Sequence, residues 1–390
     1  MSMSLSSEAH NEGLKELVTF EHLNLSEQAN ALREREYLAP VFVEKDASLR
    51  LKVLDQCGMA CTFCHNEGTP VSVDNIRRQP GDFTSAGKSD RVSIFLDSNG
   101  ADFVSGTVQP DRSLDQAVDQ LRESVYFDEV HLTGGEPTLH PQLPEVVAAL
   151  VEKGNEVKIT SNGERFYAIA DKLKDAGLSK VVFSIFGTTP AELAAVQGNK
   201  FRNEKFAALK LNALERSINA AAEHGISAAA NIVMPNLDHG ERIMRVIDQF
   251  GDKCKIRILN SLDEGAGSYE AVYELLAIMG AEPIGVNITA GASGMSIDYR
   301  LPDGKEIGFK QIRRSYLDGV CDDCVLKNNG CDEGYYGVRM YVDRMNMYRV
   351  GVCIQRMDLT RPLDQFASST LPDMIANHRE SDYYNITNGV

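Results

Sequence analysis

Along residues 49–259, short apolar runs alternate with longer stretches of helical spacing, and this pattern predicts the architecture. The runs at 49–54, 129–133, 156–160, 180–186, 227–234 and 255–259 read as six strands. Between them, residues 113–126, 143–153, 166–176, 204–224 and 241–250 place apolar side chains on one helical face. Ser113 reads as the cap of the first helix, and Gly154, Gly177 and Gly225 stop the next three. Strand and helix in alternation predict class α/β, a parallel sheet with crossover helices.

The flanks break this rhythm. Residues 14–20 and 26–35 carry helical patterns, the second capped by Ser26, and read either as a surface extension or as a cover for a site. Residues 66–112 form a polar insertion with a hairpin over 92–104, Asn99-Gly100 in its turn, and a loop at 81–90. An insertion of this length suits a lid. Beyond a boundary near Ser261, residues 295–301 and 307–311 read as short strands, and the polar tail after Asp364 is expected to order only where it docks. The expected division is a helical extension 1–48, an α/β domain 49–260 and a C-terminal region 261–390.

Composition narrows the function. At 390 residues the chain can bury a sizeable core, and a net charge of -16 argues against a nucleic-acid partner, which needs basic patches. No apolar run reaches the length of a membrane span and residues 1–13 lack an apolar signal core, so a cytoplasmic protein without membrane contact is expected. Eight cysteines in a reducing compartment read as metal ligands. Seven fall into two groups, and Cys254 reads as a small buried hydrophobe.

The first group, Cys57-Gly58-Met59-Ala60-Cys61-Thr62-Phe63-Cys64, follows the first strand. Three thiolates on one loop can hold three irons of a 4Fe-4S cluster and leave the fourth open; the alternative is part of a zinc site, for which His65 is badly placed. The second strand ends in Thr133-Gly134-Gly135-Glu136-Pro137. C-x3-C-x2-C after one strand and G-G-E-P after the next resemble the radical S-adenosylmethionine (radical SAM) superfamily. The resemblance implies an open, partial (β/α)6 barrel with its site at the C-terminal strand ends, an electron donor such as flavodoxin or ferredoxin, and S-adenosylmethionine (AdoMet) on the open iron. AdoMet would be cleaved to methionine and a 5'-deoxyadenosyl radical. It also implies AdoMet contacts from Gly134, Gly135, Glu136 and Pro137, from Ser161 and Asn162 in Thr160-Ser161-Asn162-Gly163, from Ser184, and from Phe63 beside the adenine. Ser-Asn-Gly is equally an ordinary turn, and Glu136 could simply fix its loop.

The second group, Cys321-x2-Cys324-x6-Cys331-x21-Cys353, suits an auxiliary 4Fe-4S cluster or a four-thiolate zinc site. The segment from Cys331 to Arg339, with the barrel motifs, resembles enzymes related to the GTP cyclase of molybdenum-cofactor biosynthesis, with a twitch- or SPASM-like extension holding one auxiliary cluster. The chain departs from the cyclase pattern in its four cysteines, its Asn388-Gly389-Val390 end and its insertion, and is expected to be a relative. With about 48 residues before the barrel, a leader-peptide module is not expected. The resemblance therefore implies hydrogen abstraction from a small sugar- or nucleoside-type metabolite in natural-product biosynthesis, for example decarboxylation of a nucleoside uronic acid, or alcohol oxidation. The alternatives are the GTP cyclase activity and a non-enzymatic zinc-binding interaction protein. Arg257, Arg339 and Arg349 are candidate partners for a substrate carboxylate or phosphate, or else surface ion-pair residues.

Overall fold

A computed structural model describes residues 3–4, 23–59, 61, 104, 106–198, 201–262, 264–324, 327, 331, 333–354, 356 and 359–388. The expected helix at 14–20, the loop at 81–90, the hairpin up to residue 103, Phe63 and Cys64 lie outside them.

The described chain is mixed α/β. It opens with β1 (Met3–Ser4), α1 (Glu27–Glu36) and β2 (Val41–Lys45). The Ser26 hydroxyl caps α1 by accepting from the Ala29 N–H, as expected. The alternating region follows as β3 (Ser48–Lys52), α2 (Arg112–Ser124), β4 (Glu129–Thr133), α3 (Leu143–Glu152), β5 (Glu156–Ser161), α4 (Ala170–Asp175) and β6 (Lys180–Ile185). It continues through α5 (Pro190–Ala195), α6 (Glu204–Glu223), β7 (Ser227–Met234), α7 (Gly240–Phe250) and β8 (Lys255–Asn260). All six expected strands are present within a residue or two.

Two local expectations are corrected. Asp111, not Ser113, caps α2, because its carboxylate accepts from the Ser113 N–H and hydroxyl. The expected helix at 166–176 starts as a 3-10 turn, Phe166–Ala168, where the Ser217 hydroxyl accepts the Tyr167 N–H at 3.1 Å. The tail is ordered and docked: after α8 (Gly265–Ile278), β9 (Glu282–Ala290), β10 (Gly294–Arg300), β11 (Glu306–Ile312), β12 (Val338–Val342), β13 (Tyr348–Gly351), β14 (Arg361–Pro362) and α9 (Leu363–Ala367), the described chain ends in the 18-residue α10 (Leu371–Asn388).

The chain forms two compact units, and β7 passes from one to the other. The larger comprises residues 47–229 and 337–372. Its strands run in the order β6-β5-β4-β3-β12-β13-β14, parallel from β6 to β12. On one face Leu49, Leu51, Val130, Leu132, Val157, Ile159, Val181 and Phe183 are buried, and α3 packs on β5 with Val146, Val147 and Leu150 inward. Each such side chain contributes roughly 1.5–3 kcal/mol when removed from water.

The smaller unit comprises residues 1–46, 230–336 and 373–390. Its sheet joins β2 to β9 in parallel, runs antiparallel through β10 to β11, and joins β11 to β8 in parallel. Helix α10 is held by two ion pairs with almost no solvent exposure, Arg379 to Asp46 at 2.6 Å and Arg313 to Asp382. Glu36 is buried between the Tyr299 and Tyr273 hydroxyls, which both donate to it.

Candidate active site

The cysteine loop grows directly out of β3 in the larger unit. Lys52, fully buried at the end of β3, pairs with Asp55 and donates to the Val104 carbonyl, tying the far end of the insertion to the root of the loop. Beyond it the loop lies on the segment after β4. The Gly135 N–H donates to the Leu54 carbonyl at 3.0 Å, and the Glu136 N–H to the Gln56 carbonyl at 2.7 Å.

This contact explains the two glycines. A Cβ on Gly135 would stand 2.0 Å from the Gln56 carbonyl oxygen, and one on Gly134, at φ 151, would stand 2.6 Å from that of Leu54. Neither neighbour is a flexible side chain, so only glycine admits the approach.

Glu136 connects three loops. Its carboxylate accepts from the Thr138 N–H (3.0 Å) and hydroxyl (2.6 Å), the Ser161 hydroxyl (2.6 Å) and the Asn162 N–H (2.6 Å). Burial raises its pKa, and those four donors oppose the rise. Ser161 also accepts from the Gly163 N–H at 2.9 Å, so its one hydroxyl proton is committed to Glu136. Pro137 opens the 3-10 turn Pro137–Leu139, and Ser184 lies half-buried in β6. His140 is fixed structurally, accepting from the Gln142 N–H at one ring nitrogen and donating to the Val108 carbonyl from the other.

Two amides reach the sulfurs. Asn162 Nδ2 donates to Cys57 Sγ at 3.7 Å, and Gln197 Nε2 to Cys61 Sγ at 3.2 Å. Around them Met59, Cys61, Leu193, Ala194 and Ala207 form an apolar nest with Cys57, Phe186, Val196 and Leu211 at its edge. Soft thiolates supplied with N–H donors in apolar surroundings fit an iron-sulfur cluster.

Sequence reasoning missed Gln197, which follows α5, and it missed α5 itself. The Thr189-Pro190-x-Glu192 start is a capping box that was open to reading. It also missed Glu164, whose carboxylate rests on the Cα of Gly58 and pairs with Lys210 of α6. That pair is nearly buried, with side-chain exposures of 15% and 11%.

Across the polar face of the same sheet, Arg339, Arg50, His131, Lys158 and Lys180 stand in one cross-strand row from β12 to β6, each opposite the next. Like charges directly opposite one another repel. Glu129 pairs with both His131 and Lys158, and Glu156 lies 3.4 Å from Lys158. Of the other arginine candidates, Arg349 donates to the Thr360 carbonyl at 3.1 Å, and Arg257, in the smaller unit, to Asn231 at 2.9 Å.

The second cysteine group is divided, with Cys321, Cys324 and Cys331 in the smaller unit and Cys353 in the larger. Burial pushes the Cys331 thiol up, against two hydrogen bonds from the Gly334 and Glu333 N–H groups. Among the described residues no three His, Cys, Asp or Glu side chains are gathered to hold a metal ion, and no cysteine is in a disulfide. No described helix is long and apolar enough to cross a membrane.

A parallel α/β sheet with a cysteine loop clamped at a strand end is the arrangement of a barrel-type enzyme, whose sites lie at the C-terminal strand ends. A profile of the radical SAM superfamily matches residues 51–250, and the chain belongs to that superfamily, with its partial-barrel fold, 4Fe-4S cluster and AdoMet. The chain is 32% identical over 151 residues to a protein named probable GTP 3',8-cyclase from Sulfolobus acidocaldarius, a match covering 38% of this chain and 37% of the relative. It is 24% identical over 299 residues to GTP 3',8-cyclase 1 of Mycobacterium tuberculosis, covering 72% of each. Among solved structures, SuiB of Streptococcus suis bound to S-adenosylmethionine aligns with a TM-score of 0.47 at 12% identity, over 92% of this chain and 69% of that one.

Proposed function

We propose that the chain holds its cluster on Cys57, Cys61 and Cys64 and abstracts hydrogen from an anionic, sugar- or nucleoside-type small molecule. When bound, the cluster supplies the electron that cleaves AdoMet to methionine and a 5'-deoxyadenosyl radical. The protein supplies position and exclusion of water. Glu136 fixes the loop that presents the cysteines, and the apolar nest under Cys61 keeps solvent from its sulfur.

The observation that carries the substrate class is the basic row. Arg339, Arg50, Lys158 and Lys180 stand in one row, with Glu129 and Glu156 beside Lys158, on the face that carries Lys52 and Thr133 at the ends of β3 and β4, the strands that lead into the motifs. An anion relieves the repulsion within such a row, and Arg binds carboxylate or phosphate in bidentate fashion. Of the reactions weighed from sequence, decarboxylation of a nucleoside uronic acid supplies that anion, whereas alcohol oxidation of a neutral sugar supplies none. GTP 3',8-cyclase activity is a second reading, favoured by the names of both relatives; its triphosphate is also an anion of the kind that such a row attracts.

The cysteines of the second group suit an auxiliary cluster by their spacing and by the two N–H donors at Cys331. Reconstituted, reduced protein is to be incubated with AdoMet and GTP, a nucleoside uronic acid or the matching neutral nucleoside, and 5'-deoxyadenosine and product measured. Turnover coupled to an anionic substrate is expected. In Arg339→Gln its kcat/KM should fall about 10–100-fold, the loss of one charge-assisted hydrogen bond. Coupled turnover of the neutral compound alone overturns the reading.

A further inference from the structure

Resting on the cluster assignment above, we propose that Gln197 is a positioning residue that sets the reduction potential of the first cluster through its bond to Cys61, with Asn162 acting in the same way on Cys57. Neither amide belongs to the cysteine loop, and they arrive from different parts of the larger unit. Asn162 comes from the turn after β5 and Gln197 from the segment after α5.

The orientation of Asn162 is determined by its surroundings. Its Oδ1 accepts from the Glu164 N–H at 2.9 Å, which leaves Nδ2 for Cys57, while its own N–H is held by Glu136. Gln197 is only 1% exposed and pairs with Cys61 through an isolated antiparallel bridge. Its N–H donates to the Ala194 carbonyl at 3.2 Å, and its carbonyl accepts from Arg202 at 3.3 Å. Both backbone groups of Gln197 are therefore anchored, and the side chain is delivered to the sulfur by a rigid frame.

A carboxamide does not titrate, so the N–H is present whether the cluster is oxidised or reduced. Adding an electron raises the negative charge on the ligating sulfurs, and an N–H donor stabilises the charged form more than the less charged one. At 3.2 Å in a buried setting the Gln197 bond is the stronger of the two. It favours the reduced cluster, the state that donates to AdoMet. The clamp by Glu136 gives the GGEP motif a share in this, because it holds the backbone of Asn162 in place.

The test is a reductive titration of the full reconstituted chain, following by low-temperature EPR the cluster signal that responds to AdoMet, in wild type, Gln197→Leu, Gln197→Glu and Asn162→Leu. Iron content is measured alongside. Gln197→Leu should lower the ratio of reduced to oxidised cluster at fixed poise about tenfold, which is about 59 mV for a one-electron couple. Gln197→Glu keeps the shape of the side chain but brings a carboxylate to the sulfur, and should lower the ratio further. Asn162→Leu should shift it in the same direction by less. Wild-type potentials in Gln197→Leu and Gln197→Glu at full iron loading overturn the proposal, and so does loss of iron from Gln197→Glu, which assigns the residue a purely architectural role. Absence of an AdoMet-responsive signal in the wild type refutes the cluster assignment itself, a result distinct from either.

Discussion

Glu36 and Glu136 are both buried carboxyls that accept hydrogen bonds, yet they serve different ends. Glu136 meets four donors and ties loops together at the site, whereas Glu36 meets two tyrosine hydroxyls in the smaller unit, and burial pushes its pKa up to about 8 from an ordinary 4.5. Between those values the folded chain holds a proton that the unfolded chain has released. Stability therefore falls as pH rises through this window, by up to about 1.4 kcal/mol per pH unit. Thermal melts from pH 5 to pH 9 should show the decline in wild type and a flatter profile in Glu36→Gln, and equal slopes would contradict this account. At the site, Cys57→Ala, Cys61→Ala and Cys64→Ala each remove one iron ligand and should each abolish 5'-deoxyadenosine formation. A wild-type rate in any of them removes that cysteine from the ligand set.

The motifs make sense as elements rather than as residues. Gly134 and Gly135 are expected from sequence to let backbone approach the methionyl group of AdoMet; what they approach in the structure is the backbone leading into Cys57. Gly135→Ala should therefore separate the two loops and lower iron loading before it touches AdoMet affinity. Iron content and a binding isotherm with AdoMet distinguish these effects, and full loading with weakened AdoMet binding would favour the original expectation. The six strands and five of the helices between them were legible because burial on one face imposes a period on the sequence. Helices α5 and α8 were not, the first because it spans only six residues, the second because its apolar residues lie nearly all round it. Gln197 was hidden for another reason. Its partner Cys61 lies 136 positions away, and no local pattern marks an amide that acts at such a distance. The basic row was equally invisible, since its members are single residues in five strands and only the register aligns them.

At the scale of the molecule, replacing Cys57, Cys61 and Cys64 together separates the two cysteine groups. If the second group holds a cluster, that variant should retain about four irons. Stoichiometric zinc, or no metal in a folded variant, would leave a single cluster. The ion pairs of α10 carry a second expectation: Arg379→Leu strips Asp46 of its guanidinium partner inside the smaller unit, and should cost about 3 kcal/mol in urea unfolding. The smaller unit is assembled from three stretches of chain and the larger from two, so each is interrupted by the other. During synthesis, then, early strands wait for partners encoded far downstream. β2 remains without α10, and β3 without its neighbour β12, while some three hundred residues emerge. An enzyme with this connectivity depends on whatever shelters its early strands on the ribosome, and its yield should respond to translation rate and chaperone supply more steeply than its final stability would suggest.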